Sequence, residues 1–348
     1  MIGDSPDPPQ TLPSPAQTVY LSTSNSAGCM DVSEFVSFRD RLVESVSKTI
    51  VGKRDVIELV TYDLLVGGHI LFEDFPGLGK TTLAKAVAKA LGCEFRRIQF
   101  TADLLPADVT GTYVLDESRS FRFLRGPVFT QILLADEINR SPPKTQSALL
   151  EAMQEHQVTA ENQTFLLPEP FVVFATQNPI EYEGTYPLPE AQMDRFAVRL
   201  RMGYPGHDDE VTILGLRKSP TEELQAVERV SGPGDLTALQ SRLEQVYVDE
   251  DLKTYIVRIA SATRSIPSVE VGVSPRGSIH LFRLCKAKAA CSGRDFVTPD
   301  DVKGLAVPAL SHRLVLNTDY EMKGLRQESV VEKVLAETPV PKVTEPER

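Results

Sequence analysis

A chain of 348 residues with 41% hydrophobic and 24% charged side chains has the balance of a globular protein, with room for two ordinary domains. Its 37 basic and 48 acidic residues leave a formal charge of −11, a surface that repels phosphate backbones and argues against nucleic acid as the main partner. Cys29, Cys93, Cys285 and Cys291 are scattered without zinc spacing, no apolar run is long enough for a membrane span, and no basic residue precedes Arg39; the expectation is a cytoplasmic protein with reduced thiols.

Residues 1–30 are dominated by Pro, Ser, Thr, Gln and Asp and are expected to be disordered, as is the tail 338–348 with Pro339, Pro341 and Pro346. From 31 to 204 short apolar runs at His69–Phe72, Arg97–Phe100, Ile132–Ala135, Phe171–Ala175 and Phe196–Leu200 alternate with helical stretches. Unbroken runs of this length suit strands covered on both faces, so the spacing predicts an α/β domain with a parallel sheet under helices. Between them, Gly111–Leu115 with Phe121–Phe123, and the segment His156–Leu167, read as hairpins turning at Asp116–Ser120 and at Glu161-Asn162-Gln163. After Pro205 the pattern becomes helical, over 208–217, 235–246, 249–264, 275–291 and 299–310, with a loop at 218–234. Ser274-Pro275 and Thr298-Pro299 place a capping hydroxyl before a proline at the first helical position. A second domain, all helical, is expected over 205–337.

The sharpest motif is Pro76-Gly77-Leu78-Gly79-Lys80-Thr81-Thr82, between a strand and a helix. Glycines let backbone N–H groups turn in around phosphate oxygens, and the helix N-terminus adds its positive dipole end. Lys80 is placed for the β- and γ-phosphates and the Thr81 hydroxyl for Mg²⁺. Gly-Lys-Ser/Thr alone arises by chance in about one chain in six of this size, so the strand and helix around it decide the reading. The strict pattern has glycine where this chain has Asp74, a residue that tolerates the left-handed conformation.

Downstream, Ile132–Ala135 ends in Asp136-Glu137, the form of a Walker B strand: Asp136 to hold magnesium directly or through water, Glu137 to polarise the attacking water. Phe171–Thr176 ends in Gln177-Asn178-Pro179, where an amide can reach a γ-phosphate or simply make a turn. Arg276 lies in the first turn of the helix begun by Ser274-Pro275, where a cation opposes the helix dipole and calls for an anion, either a phosphate or a neighbouring carboxylate.

Together these segments resemble an AAA+ ATPase of the MoxR type over about 50–314. Further resemblance lies in Ile50-Val51-Gly52-Lys53, Phe100-Thr101-Ala102-Asp103-Leu104-Leu105-Pro106, Asp136-Glu137-Ile138-Asn139-Arg140, Ala175-Thr176-Gln177-Asn178-Pro179, Pro187–Phe196 and Ser274-Pro275-Arg276-Gly277-Ser278. The resemblance implies a P-loop core with a five-stranded parallel sheet and a C-terminal helical lid, binding ATP with Mg²⁺. It implies backbone contacts to adenine at Val51 and Gly52, with Lys53 where glutamine is common. Asn178 would be sensor 1, Arg276 sensor 2, and Arg195 an arginine finger acting on ATP held by a neighbouring subunit. The two hairpins would face the pore of a homo-oligomeric ring, a hexamer in the family, that remodels or activates a client protein, in some members one with a von Willebrand factor A domain, sometimes for cofactor insertion. A magnesium-chelatase-like ATPase subunit and a nucleotide-binding regulator without turnover stay open as alternatives. Glu137 argues against the regulator, and a small-molecule kinase has no need of Asn178, Arg195 and Arg276 together.

Overall fold

The computed structural model describes residues 30–115, 119–161, 163–179, 185–216 and 224–341. Positions 1–29 of the expected disordered segment, 342–348 of the tail, hairpin positions 116–118 and 162, the last position of the expected helix 208–217, and 218–223 of the expected loop lie outside the described residues.

Five short runs pair in parallel as β1 (Ile70–Glu73), β2 (Phe95–Gln99), β3 (Ile132–Asp136), β4 (Val172–Gln177) and β5 (Val198–Leu200), in the order β2-β3-β4-β1-β5. Alternate side chains of a strand face opposite ways. Ile70, Phe72, Leu134 and Phe174 enter a core shared with α1 (Ser33–Ser47), α2 (Arg54–Val66) and α3 (Lys80–Leu91). Leu71, Leu133, Ala135 and Val173 enter a second core under α4 (Pro143–Glu155). Burial on both faces is why these strands read as unbroken apolar runs rather than alternating ones. β2 departs from expectation: it begins at Phe95, not Arg97, and ends at Gln99. It is an edge strand with Arg96, Arg97 and Gln99 exposed, so its start carries charge that an apolar-run reading passes over.

Beyond β5 the chain is mainly helical: α5 (His207–Leu216), α6 (Pro233–Leu243), α7 (Glu250–Thr263), α8 (Pro275–Cys291), α9 (Pro299–Leu310) and α10 (Gln327–Glu337). Ser274 Oγ caps α8 by accepting from the Arg276 and Gly277 N–H groups, and Thr298 and Asp301 form the capping box of α9. α6 starts earlier than the sequence suggests. Pro233 fits its first turn, and the Asp235 carboxylate reaches back to accept from the Gly232 N–H at 2.7 Å. α10, which buries Val330, Val331 and Val334, and the small antiparallel pair Val269–Val271 with Val315–Leu316 were not anticipated individually. Leu243, Tyr255, Leu281, Leu284, Leu305 and Val331 of this helical part belong to the same core as α1–α3, so the two parts share one hydrophobic interior.

The expected hairpins form, as Gly111–Leu115 with Phe121–Arg125 and Gln157–Ala160 with Gln163–Leu166. They are fastened to each other by a stack of Phe123 on Phe165, 4.3 Å between centroids, and by the Tyr113 hydroxyl donating to Gln163 Oε1 at 3.0 Å. Cys93, Cys285 and Cys291 are free thiols. Among the described residues no helix is long and apolar enough to cross a membrane.

Candidate functional site

Parallel pairing brings the polar ends of the strands to one edge of the sheet: the register sets Glu73 beside Gln177 and Gln99 beside Asp136. Crevices outside the carboxyl ends of parallel strands are where open α/β sheets bind ligands. The loop from β1 to α3 curls over this edge. Gly77 and Gly79 have φ of +84° and +87°, and a Cβ at either would meet nothing within 4 Å. Backbone conformation, not space, is what calls for glycine there. Burial lowers the pKa of Lys80, against the pull of Asp74, Asp136 and Glu137 in the other direction, and its ammonium donates to the Asp74 and Phe75 carbonyls at 2.8 Å each.

Asp74 corrects the sequence reading. It does not take the left-handed conformation. Its buried carboxylate accepts from the backbone N–H groups of Met202 and, at 3.2 Å, Gly203, fastening the chain after β5 to the phosphate loop. A glycine could not make that tie.

A cavity of ≈ 400 Å³ under the loop is lined by Lys80, Thr81, Asp136, Glu137 and Asn178, so the expected phosphate, magnesium and water-handling candidates converge there. A second cavity of ≈ 460 Å³ lies on the loop's other side, walled by Ile50, Val51, Leu78, Tyr204 and Leu214. Pro76, Gly77, Leu78, Gly79 and Thr82 line both. The loop is thus the partition between a polar chamber and a largely apolar one. Gly52 does not line the second chamber. At φ +72° a Cβ there would fall 2.0 Å from Asp209 Oδ2, so glycine is needed to let α5 approach. Lys53 does line it, and its ammonium donates to the Tyr204 carbonyl at 2.8 Å.

The two acids are held by residues to which the sequence reading gave no role. Asp136 Oδ1 accepts from the Thr176 hydroxyl at 2.6 Å, and Oδ2 accepts from Arg97 at 2.7 and 3.1 Å. Glu137 has φ +55°, costly for a non-glycine residue by about 1–3 kcal/mol. Its N–H donates to the same Thr176 hydroxyl at 2.8 Å, and its Oε2 accepts from Gln99 at 2.6 Å and Arg140 at 3.0 Å. Thr176 therefore joins β4 to both carboxylates. Gln99 and Arg97 reach them from β2, which only the strand register reveals.

Arg195 and Arg276 line neither chamber. Arg195 donates to the Leu150 carbonyl, while its Nε is buried without a partner. Burial lowers its pKa, and the segments of the two arginines meet at the Ser274 hydroxyl, which donates to Asp194 at 2.8 Å and accepts from the Arg276 N–H at 3.1 Å. Neither forms a salt bridge among the described residues.

Comparison with known proteins agrees with this architecture. The family model for the ATPase family associated with various cellular activities matches residues 69–198, and that for the AAA lid domain matches 261–334. The chain is 40% identical to Chaperone MoxR1 of Mycobacterium tuberculosis over 315 residues, 87% of this chain and 82% of that protein. It belongs to the MoxR family of AAA ATPases. The uncharacterized protein YeaC of Bacillus subtilis is 47% identical over 302 residues, 86% of this chain and 94% of that one. The crystal structure of a "putative ATPase" from Cytophaga hutchinsonii superposes with a TM-score of 0.82 at 37% identity, covering 89% of this chain and 98% of that one. An AAA ATPase domain implies nucleotide binding. In this MoxR-family chain the first model begins just before β1 and ends in β5, so it brackets the sheet whose edge carries the polar chamber.

Proposed function

We propose that this chain binds ATP across the phosphate loop, with the base in the apolar chamber and the phosphates in the polar one, and hydrolyses it with Mg²⁺ in a ring of identical subunits. The convergence of Lys80, Thr81, Asp136, Glu137 and Asn178 on one chamber carries the reading. Lys80 and the loop N–H groups would neutralise phosphate charge, Glu137 would take the proton of the attacking water, and Asn178 would orient that water and the γ-phosphate. The Thr81 hydroxyl and Asp136 carboxylate are hard oxygen donors suited to Mg²⁺, which would neutralise charge on the phosphates. Both Asp136 oxygens already accept hydrogen bonds, which favours a hold through water. Among the described residues no group of three or more His, Cys, Asp or Glu could hold a metal.

Arg195 and Arg276, which line neither chamber and form no salt bridge among the described residues, would serve the ATP of the next subunit. A client protein is the intended recipient of the work, a reading supported by the chaperone relative. The fastened hairpins are its contact: Phe121 and Leu166 are 76% and 75% exposed at their ends. The test is phosphate release with ATP, with and without Mg²⁺, over a range of protein concentrations, beside Lys80→Ala. Magnesium-dependent turnover per subunit that steepens with concentration and vanishes in the variant is expected. Turnover strictly proportional to subunit concentration, with no oligomer, would defeat the shared site.

A further inference from the structure

We propose that Asp194 is the positioning residue that makes Arg195 and Arg276 a single unit, bolting their two segments together through Ser274 and Arg313. This rests on the reading that both arginines serve a neighbouring subunit's ATP.

Two cations held close repel, and these two come from different parts of the fold: Arg195 just before β5, Arg276 in the first turn of α8. Something must fix their separation. Asp194, adjacent to Arg195, reaches from the one segment to the helix cap of the other. Its Oδ2 accepts from the Ser274 hydroxyl at 2.8 Å. That same hydroxyl oxygen accepts from the Arg276 N–H at 3.1 Å and the Gly277 N–H at 3.4 Å. The helix cap thus uses its lone pairs on α8 and its proton on Asp194, so the start of α8 cannot move without the carboxylate.

The other oxygen, Oδ1, accepts from Arg313 Nε at 2.8 Å. The Arg313 side chain is 1% exposed, and its terminal nitrogens donate to the carbonyls of Phe196 at 2.6 Å, Ala197 at 3.3 Å and Asp194 at 3.3 Å. It therefore grips the backbone around Arg195 from inside the helical part. His280 Nδ1, on α8 itself, accepts from Arg313 NH2 at 2.8 Å. A Cβ at Gly277 would lie 2.7 Å from Arg313 Cδ and 2.6 Å from Val273 Cγ1, so the glycine after Arg276 is what lets this guanidinium pass. A residue serving only to neutralise Arg313 would need no bond to the α8 cap. That bond is the part a purely structural role leaves unexplained.

The test separates the bridge from the buried ion pair. Ser274→Ala removes the bridge and keeps the Asp194–Arg313 pair; Ser274→Thr keeps the hydroxyl; Asp194→Asn weakens both. Each is assayed for nucleotide affinity and phosphate release, alone and mixed with Glu137→Gln subunits, which have a dead site but intact arginines. S274A is expected to lose about tenfold to a hundredfold in turnover, the scale of a small misplacement of a positioned group, with nucleotide affinity unchanged. S274T should recover most of it. Mixing S274A with E137Q should restore activity, because the variant's sound ATP sites then receive arginines from E137Q neighbours. Parent-like turnover in S274A, or a loss not restored by mixing, would overturn the proposal, and S274A decides it even if D194N fails to fold. The mixture of Arg195→Ala with E137Q reports separately on the shared-site reading. If that mixture stays dead the shared site itself fails; if it recovers and the S274A mixture does not, only the role of Asp194 falls.

Discussion

The polar chamber and the junction around Arg313 sit in one compact body and are built in different ways. The chamber takes Lys80 and Thr81 from the start of α3 and Asp136, Glu137 and Asn178 from the ends of two strands, each within a short contiguous motif. The junction takes Asp194, Ser274, His280 and Arg313 from widely separated segments, and no motif announces Arg313 or His280. At the sheet edge polar groups stay open to a ligand and to water, so they carry little folding energy. Inside the junction Arg313 is withdrawn from water, and Asp194, Ser274 and His280 supply it and one another with hydrogen bonds. Chemistry is expected to be vulnerable in the first region, folding in the second.

Substitutions can break that contrast or sharpen it. Glu137→Gln should cost about 10²–10⁴-fold in turnover, the range for a positioned general base, with an unfolding midpoint in urea close to the parent's. Arg313→Met leaves Asp194 partly buried without its cation, and breaking such a pair costs about 3–5 kcal/mol. Urea unfolding should show that loss in R313M and not in E137Q. Equal destabilisation in the two would dissolve the distinction between regions.

Asp74 tests the boundary between them, since it belongs to the phosphate loop yet is buried. Asp74→Ala strands two backbone N–H groups and should destabilise by about 1–3 kcal/mol. It should also weaken ATP affinity, because the Met202–Tyr204 wall of the apolar chamber loses its anchor; a change in stability alone would confine Asp74 to the scaffold.

A last test concerns pH. Asp63 is fully buried near Arg283 and Arg313 with neither carboxylate oxygen hydrogen-bonded, and burial raises its pKa to about 8. Between its ordinary value of about 3.9 and about 8, the unfolded chain has released a proton that the folded chain keeps. Stability contributed by this group therefore falls as pH rises through that window, by at most about 1.4 kcal/mol per pH unit. Asp63→Asn should remove that slope from the urea-unfolding profile. A profile parallel to the parent's would mean that Asp63 is ionised in the folded protein.

Much of the chamber was legible because its chemistry depends on adjacency. A loop of glycines before a helix, and two acids after an apolar strand, are local arrangements that keep their meaning wherever the strand lies. Thr176 illustrates the limit. Its place at the end of an apolar run is visible, but its grip on Asp136 and Glu137 exists only because β4 lies beside β3. Arg97 and Gln99 were hidden further, since they lie on an edge strand whose charged start weakens the apolar signal. In the sequence Asp74 reads as a tolerated substitute for glycine; in the structure it ties the loop to the chain beyond β5.

By itself the sequence determined the α/β order, the helical tail, both hairpins and which residues gather in the polar chamber. Periodicity, caps and glycine-dependent turns are decided over a few neighbouring residues, and the sequence carries them directly. Only the tertiary structure decided which strands are neighbours, where the partition between the two chambers falls, and how Arg195 and Arg276 come together over a buried arginine. Those facts depend on contacts between residues far apart in the chain, where the partner of a buried polar group is whatever the fold brings to it.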